Sequence, residues 1–253
     1  MNRKTIFLLI MLPFPSLFAQ TSASLPTVDQ VLDKFVEGTG GRSALQKITS
    51  RYVKGVLEYV GEGTTQNIEI YKKAPNKYIR LNTTLDGPYK EGFDGSVGWS
   101  IYPGEALKVL SGAELSRFKR NSDLYLELKL KEYLPNLTVK GKEKMGNREA
   151  NVLEAASASG APEKLYFDTQ SGLLVQNDYE VETPDGKNYV TVLFENYKEV
   201  DGIQLPFTIR QVTEDTLIRI SDIKHNLSID DSKFAKPSNL ACCRFGRRQL
   251  AGA

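Results

Sequence analysis

Lys164-Leu165-Tyr166-Phe167-Asp168 runs into Thr169-Gln170-Ser171-Gly172, and the chain then repeats that grammar to Ile229. Leu173 to Glu182 alternates loosely and stops at Thr183-Pro184-Asp185-Gly186. Tyr189-Val190-Thr191-Val192-Leu193-Phe194 is β-branched and aromatic, and Val200-Asp201-Gly202 follows it. Leu205 to Val212 and Leu217 to Ile223 close the series. Asp-Gly between apolar runs is a hairpin signal, because Gly accepts positive φ and Asp tolerates it. Consecutive hairpins predict an antiparallel meander, which the rest of the chain must extend or fill.

Upstream, the period changes from helical to two. Pro26 to Glu37 reads as a helix with Thr27 as N-cap. Val28, Val31, Leu32, Phe35 and Val36 share one face, and Gly38, Gly40 and Gly41 end it. Arg42 to Ile48 reads as a second short helix. Tyr52 to Val60, Asn67 to Lys73, Lys77 to Leu85, Tyr89 to Phe93 and Gly98 to Tyr102 are candidate strands. They are separated by Gly61-Glu62-Gly63, Ala74-Pro75-Asn76, Asp86-Gly87-Pro88 and Asp94-Gly95. Gly112 to Tyr133 is helical, with apolar spacing that drifts near Asn121-Ser122-Asp123 and predicts a break or bend there. Pro135 ends it. Leu137 to Lys144 and Ala150 to Ala156 resume strand character before a small-residue loop, Ala155 to Pro162.

At 253 residues the chain can bury one full core. Arg3 and Lys4 precede the apolar run Ile6 to Leu12 and then Ser16-Leu17-Phe18-Ala19 with a small residue at the cut, which predicts a cleaved export signal over residues 1–19 and a periplasmic product. No Cys lies near the cut, so no acyl anchor of the bacterial lipoprotein type is expected, nor a stable membrane anchor of any kind. Without the leader, 31 basic residues face 31 acidic ones, and without Arg244, Arg247 and Arg248 the body carries 28 against 31. That balance lacks the one-sided field of a nucleic-acid or anionic-membrane binder. Residues 20–237 read as one domain and 238–253 as a tail. The tail holds both cysteines, Cys242 and Cys243, so the fold must stand on its apolar core.

The motifs along this frame resemble the LolA-like periplasmic lipoprotein-carrier superfamily, including its longer outer-membrane lipoprotein-sorting members. Val31 to Glu37 with Gly40-Gly41 is similar to the opening helix. Asp94-Gly95-Ser96-Val97-Gly98-Trp99 resembles the family's DG-x-x-x-W hairpin. Leu165-Tyr166-Phe167-Asp168 with Ser171-Gly172-Leu173-Leu174 resembles another hairpin. Tyr197 to Ile203 with Leu205-Pro206 is similar to a strand pair, and Asn226 to Phe234 to the final closure. The resemblance implies a mainly β (α+β) fold: a curved antiparallel sheet of about eleven strands, an open half-barrel with helices over its concave face. It also implies non-catalytic binding of lipid or lipoprotein acyl chains by a monomer, with envelope proteins as further partners and no cofactor.

Residues expected to line an apolar cleft are Val56, Ile68, Ile70, Ile79, Leu81, Trp99, Tyr166, Val190, Val192 and Ile218 on strands. Val31, Phe35, Leu115 and Phe118 are expected on covering helices. Core packing competes with ligand contact at each of them. For the strand tyrosines Tyr52, Tyr59, Tyr71, Tyr78 and Tyr89, stacking on sugar is the rival reading. His225, the lone histidine, has no Ser or Cys partner pattern and reads as structural. No spaced His/Cys set suggests zinc, and no Gly-rich loop opens a helix after a strand. Asp230 and Asp231 read as solvent-facing turn residues. An accessory interaction domain of an envelope complex is the alternative function, and a hydrolase the third.

Overall fold

The computed structural model describes residues 24–156, 162–183 and 186–237. The expected leader, the tail with Cys242 and Cys243, and most of the Ala155–Pro162 loop lie outside the described residues.

Two helices open the chain. In α1 (Val28–Thr39) the Thr27 hydroxyl accepts from Gln30 N, and the Gln30 side chain accepts from Thr27 N, which satisfies two otherwise orphaned amides. α2 (Arg42–Gln46) follows after Gly40 and Gly41. Six strands come next: β1 (Ser50–Tyr59), β2 (Thr64–Lys73), β3 (Lys77–Thr84), β4 (Gly87–Phe93), β5 (Gly98–Ile101) and β6 (Lys108–Val109). α3 (Gly112–Ser122) and α4 (Leu126–Tyr133) are separated at Asp123, where the drift in spacing predicted a break. Seven strands complete the sheet: β7 (Thr138–Met145), β8 (Arg148–Ala156), β9 (Pro162–Asp168), β10 (Leu174–Thr183), β11 (Gly186–Val200), β12 (Ile203–Gln211) and β13 (Thr216–His225).

All thirteen form one antiparallel sheet in the order β6-β5-β4-β3-β2-β1-β13-β12-β11-β10-β9-β8-β7. The count exceeds the expected eleven, partly because the two-residue β6 is too short to show a period. Two meanders are joined where the first strand pairs with the last, Val53 opposite Ile223 and Leu57 opposite Ile218. β6 and β7 are free edges, so the curved sheet stays an open half-barrel.

The helices cover one face in two apolar blocks. Val31 and Phe35 of α1 and Leu130 and Leu134 meet Leu153, Leu165 and Phe167 of β8 and β9. Leu45 of α2 and Ile48 just after it meet Val53, Ile203, Leu205 and Ile223 across the seam. α1 is also docked backbone to backbone. A Cβ on Gly38 would lie 2.2 Å from Ser171 O, and one on Gly172, at φ 77°, would lie 2.4 Å from Lys34 O. Gly38 in the last turn of α1 and Gly172 in the β9–β10 turn thus answer a shared close approach, beyond turn chemistry alone.

The opposite face carries its own core. Trp99, Ile79, Ile229 and Phe234 cluster there, with Leu81 and Ile101 against them. The segment after β13 folds back as a 3₁₀ turn, Asp231–Phe234, to cover them. Asp231 holds this strap through Lys73 Nζ at 2.8 Å and Lys77 Nζ at 2.6 Å.

Candidate functional site: the cleft beneath α3

α3 spans the opening of the half-barrel. On one wall Phe118 meets Tyr78 edge-on, centroids 5.3 Å apart, and Leu115 lies over Gly98, where a Cβ would come within 2.9 Å of its Cδ1. On the other wall Arg117 lies over the Tyr179 ring at 5.6 Å. Arg120 Nη1 meets the buried Glu163 Oε2 of β9 at 2.8 Å. Asn177 Nδ2 donates to the second carboxylate oxygen of Glu163 at 3.1 Å. A cavity of about 380 Å³ lies between α3 and this wall. Its size falls in the ordinary range for ligand pockets.

An apolar row elsewhere on the inner face follows from strand register. Leu57 faces Ile218, Ile218 faces Ile209, and Ile209 faces Phe194, so four apolar side chains form one row across β1, β13, β12 and β11. By alternation they share the face of Val53 and Ile203, the helix side. Ile68, Val190 and Val192 adjoin the row on that face. Ile218, Ile209, Phe194 and Val192 stay partly exposed. None of the row belongs to the blocks that α1, α2 and α4 bury.

The inner surface of β3 and β4 is largely polar. Arg80 Nε donates to Asn82 Oδ1 at 2.9 Å, and Asn82 Nδ2 donates to Gln66 Oε1 at 3.1 Å. The Tyr78 and Tyr89 hydroxyls both donate to Glu91, Tyr78 at 3.0 Å and Tyr89 at 2.5 Å. Burial, and then Glu91, push both phenol pKa values well up, so both remain neutral donors. Burial opposes the Arg80 charge, but Tyr78 and Glu91 outweigh it and raise its pKa. A second cavity, of about 470 Å³, opens here, walled by Tyr59, Gln66, Arg80, Asn82, Tyr89 and Tyr102.

The expected cleft residues divide three ways. Ile68, Val190, Val192 and Ile218 share the helix-side face of the sheet, and Leu115 and Phe118 are on α3. Val31, Phe35 and Ile70 are committed to the helix–sheet blocks. Val56, Ile79, Leu81, Trp99 and Tyr166 are on the face away from the helices and do not line this space. Leu57, Ile209 and Phe194 were missed. In β12 the signal was present, since Ile203, Leu205, Phe207 and Ile209 alternate with Gln204, Pro206, Thr208 and Arg210. Arg80 and Glu91 were missed too; a charged residue at the same register in neighbouring strands was the available signal.

The turns at the far end of the sheet from α1 expose apolar side chains: Val60, Leu85, Tyr102 and Val212. Leu85 is fully exposed at the β3–β4 apex. Among the described residues no cluster of His, Cys, Asp or Glu could hold a metal, and no helix is long and apolar enough to cross a membrane.

No family model and no curated protein matches the chain. Solved structures do. A DUF1329 family protein from Desulfovibrio piger is 14% identical with a TM-score of 0.57, over 82% of this chain and 97% of its own. A LolA superfamily protein from Nitrosomonas europaea is 13% identical with a TM-score of 0.54, over 84% and 99%. A domain named for outer membrane lipoprotein sorting, from Vibrio parahaemolyticus, is 14% identical with a TM-score of 0.56, over 81% and 96%. At such identities the likeness is one of fold. With a helix-roofed, open antiparallel sheet already established, this chain has a LolA-like fold.

Proposed function

We propose that the chain is a non-catalytic binding protein of the bacterial periplasm that carries lipid or lipoprotein acyl chains between the sheet and α3. The carrying observation is the row Leu57–Ile218–Ile209–Phe194 on the helix side of the sheet, of which Ile218, Ile209 and Phe194 stay partly exposed. Each methylene laid there is stabilised by about 0.8 kcal/mol. The LolA-like fold supports the same reading by analogy. The ligand enters from the end bearing the exposed turns and lies under α3, which is held to its second wall largely by polar contacts and can swing. The test is mass spectrometry of lipid extracted from protein purified without detergent, together with displacement of a fluorescent fatty acid. Recovered lipid and saturable displacement are expected; neither appearing overturns the reading.

The exposed Val60, Leu85, Tyr102 and Val212 favour a second reading, an envelope protein docked on that rim. Crosslinking from Leu85→Cys in intact cells tests it. A discrete crosslinked protein is expected, and a reagent-only adduct counts against it.

A further inference from the structure

The polar cavity on the inner face of β1–β5 has no part in holding an acyl chain. Its wall is built largely from planar polar groups and tyrosines. The chain Arg80 to Asn82 to Gln66 fixes three of them in place. Asn82 is 4% exposed, so its amide is set rigidly by its neighbours. Asn82 spends one amide N–H on Gln66 and retains the other, and the Gln66 amide nitrogen donates to no described residue. Two carboxylates, Asp86 and Glu105, stand at the entrance. Tyr102 packs on Tyr89 with centroids 4.7 Å apart and is half exposed.

The chemistry of this wall selects among ligands. An anion meets Asp86 and Glu105 at the entrance. A cation finds the Tyr89 face already occupied, since the Arg80 guanidinium lies 6.0 Å from its centroid. A flat apolar group would strip water from Gln66 and Asn82 without replacing its hydrogen bonds, at a cost of about 1–3 kcal/mol per group. A ring with hydroxyls around its edge and C–H groups on its face satisfies all of these. Its hydroxyls donate to Asp86 and Glu105 and accept from Gln66, Asn82 and Arg80, and its C–H face lies on Tyr102. The volume of about 470 Å³ admits one or two such rings.

We propose that this cavity is a binding site for a neutral sugar. It stands apart from the acyl-binding reading, because its wall and the apolar row share no side chain and only Tyr102 also belongs to the exposed rim.

The test is saturation-transfer NMR on the whole protein with glucose, galactose, N-acetylglucosamine and trehalose, and with choline and inorganic phosphate as charged comparisons. At least one neutral sugar is expected to receive saturation, with choline and phosphate silent. Gln66→Ala and Tyr102→Ala both lie at partly exposed positions, and each is expected to weaken that binding about tenfold or more. Trp99 emission checks that both variants are folded. Ile209→Asn in the apolar row is expected to leave the sugar signal unchanged, which separates failure of this site from failure of the acyl reading. Silence of all four sugars, a choline or phosphate signal in their place, or undiminished binding in folded Gln66→Ala and Tyr102→Ala overturns the proposal.

Discussion

Arg51 Nε donates to His225 Nε2 at 3.1 Å, across the pair of strands that joins the two meanders. That bond settles the tautomer: Nε2 accepts, so Nδ1 carries the proton, which it donates to Asp201 Oδ2 at 3.0 Å. Burial, and then the Arg51 charge, lower the His225 pKa below its ordinary value, despite Asp201. The contact with Asp201 is therefore a hydrogen bond donated by neutral histidine rather than an ion pair.

The consequence is a stability that depends on pH. Unfolded, His225 takes up a proton as pH falls through about 6.5. Folded, it resists, so below that pH the unfolded chain binds more protons and the fold loses stability. Thermal unfolding is expected at progressively lower temperature from about pH 7 to pH 5. The chain has one histidine, so His225→Gln should remove the step in that window. It should also cost about 1–2 kcal/mol at pH 7.5. A wild-type melting temperature that is level across the window would refute the assignment.

Gly38→Ala puts a methyl 2.2 Å from Ser171 O at a position whose φ any residue can adopt. The only way out is to lift α1 from the β9–β10 turn, which also strains the Lys34 Nζ contact to Thr169 O at 2.6 Å. Overpacking of this kind costs about 1–3 kcal/mol. Urea denaturation should show that loss, although alanine favours helix over glycine. Unchanged stability would mean that the helix and the turn are not in contact.

Trp99 is the single tryptophan and is 1% exposed on the face away from the helices. A Cβ on Gly92 would meet its ring at 2.5 Å. Its fluorescence thus reports the C-terminal strap. Phe234→Ala should shift emission to the red and cost about 3–5 kcal/mol. Ligand entering beneath α3 should leave the spectrum alone, and a large ligand-induced shift would place the cleft on the wrong side of the sheet.

The meander, its turns and the break between α3 and α4 were legible because Asp-Gly turns, period-two runs and Asn121-Ser122-Asp123 are local signals. Which face each strand residue takes was not. Ile79, Leu81 and Trp99 look like cleft residues in sequence because alternation in β3 marks an apolar face without saying whether it turns to the helices or away from them. The strap that buries them is more than a hundred residues away. Arg80 and Glu91 look like surface charges until β3 and β4 pair and bring them to one wall.

Arg120 and Glu163 tie α3 to β9 as a buried ion pair with Asn177 as third member. Removing one partner leaves the other charge buried, so Glu163→Ala should cost about 3–5 kcal/mol. Glu163→Gln keeps a hydrogen-bonding group and should cost less. The same change frees the end of α3, and amide hydrogen exchange in Gly112–Ser122 should quicken more than in α1. Equal quickening in both helices would make the pair a general core contact rather than the tether of a lid.

The apolar row offers a sharper discrimination. Ile209 and Ile218 face one another in register and are partly exposed, so each can take a polar side chain without opening a sealed cavity. Ile223 is on the same strand and face but packs with Leu45 and Ile48 in the block under α2. If the row is ligand floor, Ile209→Asn and Ile218→Asn should weaken fatty-acid binding about tenfold or more while lowering stability by less than about 1.5 kcal/mol. Ile223→Asn should do the reverse, costing several kcal/mol because it buries an unsatisfied amide. If the row is ordinary core, all three variants lose stability alike and binding tracks the folded fraction. Paired titrations of fatty-acid binding and urea unfolding on the three variants therefore separate a floor that waits for hydrocarbon from one that is filled by the protein itself.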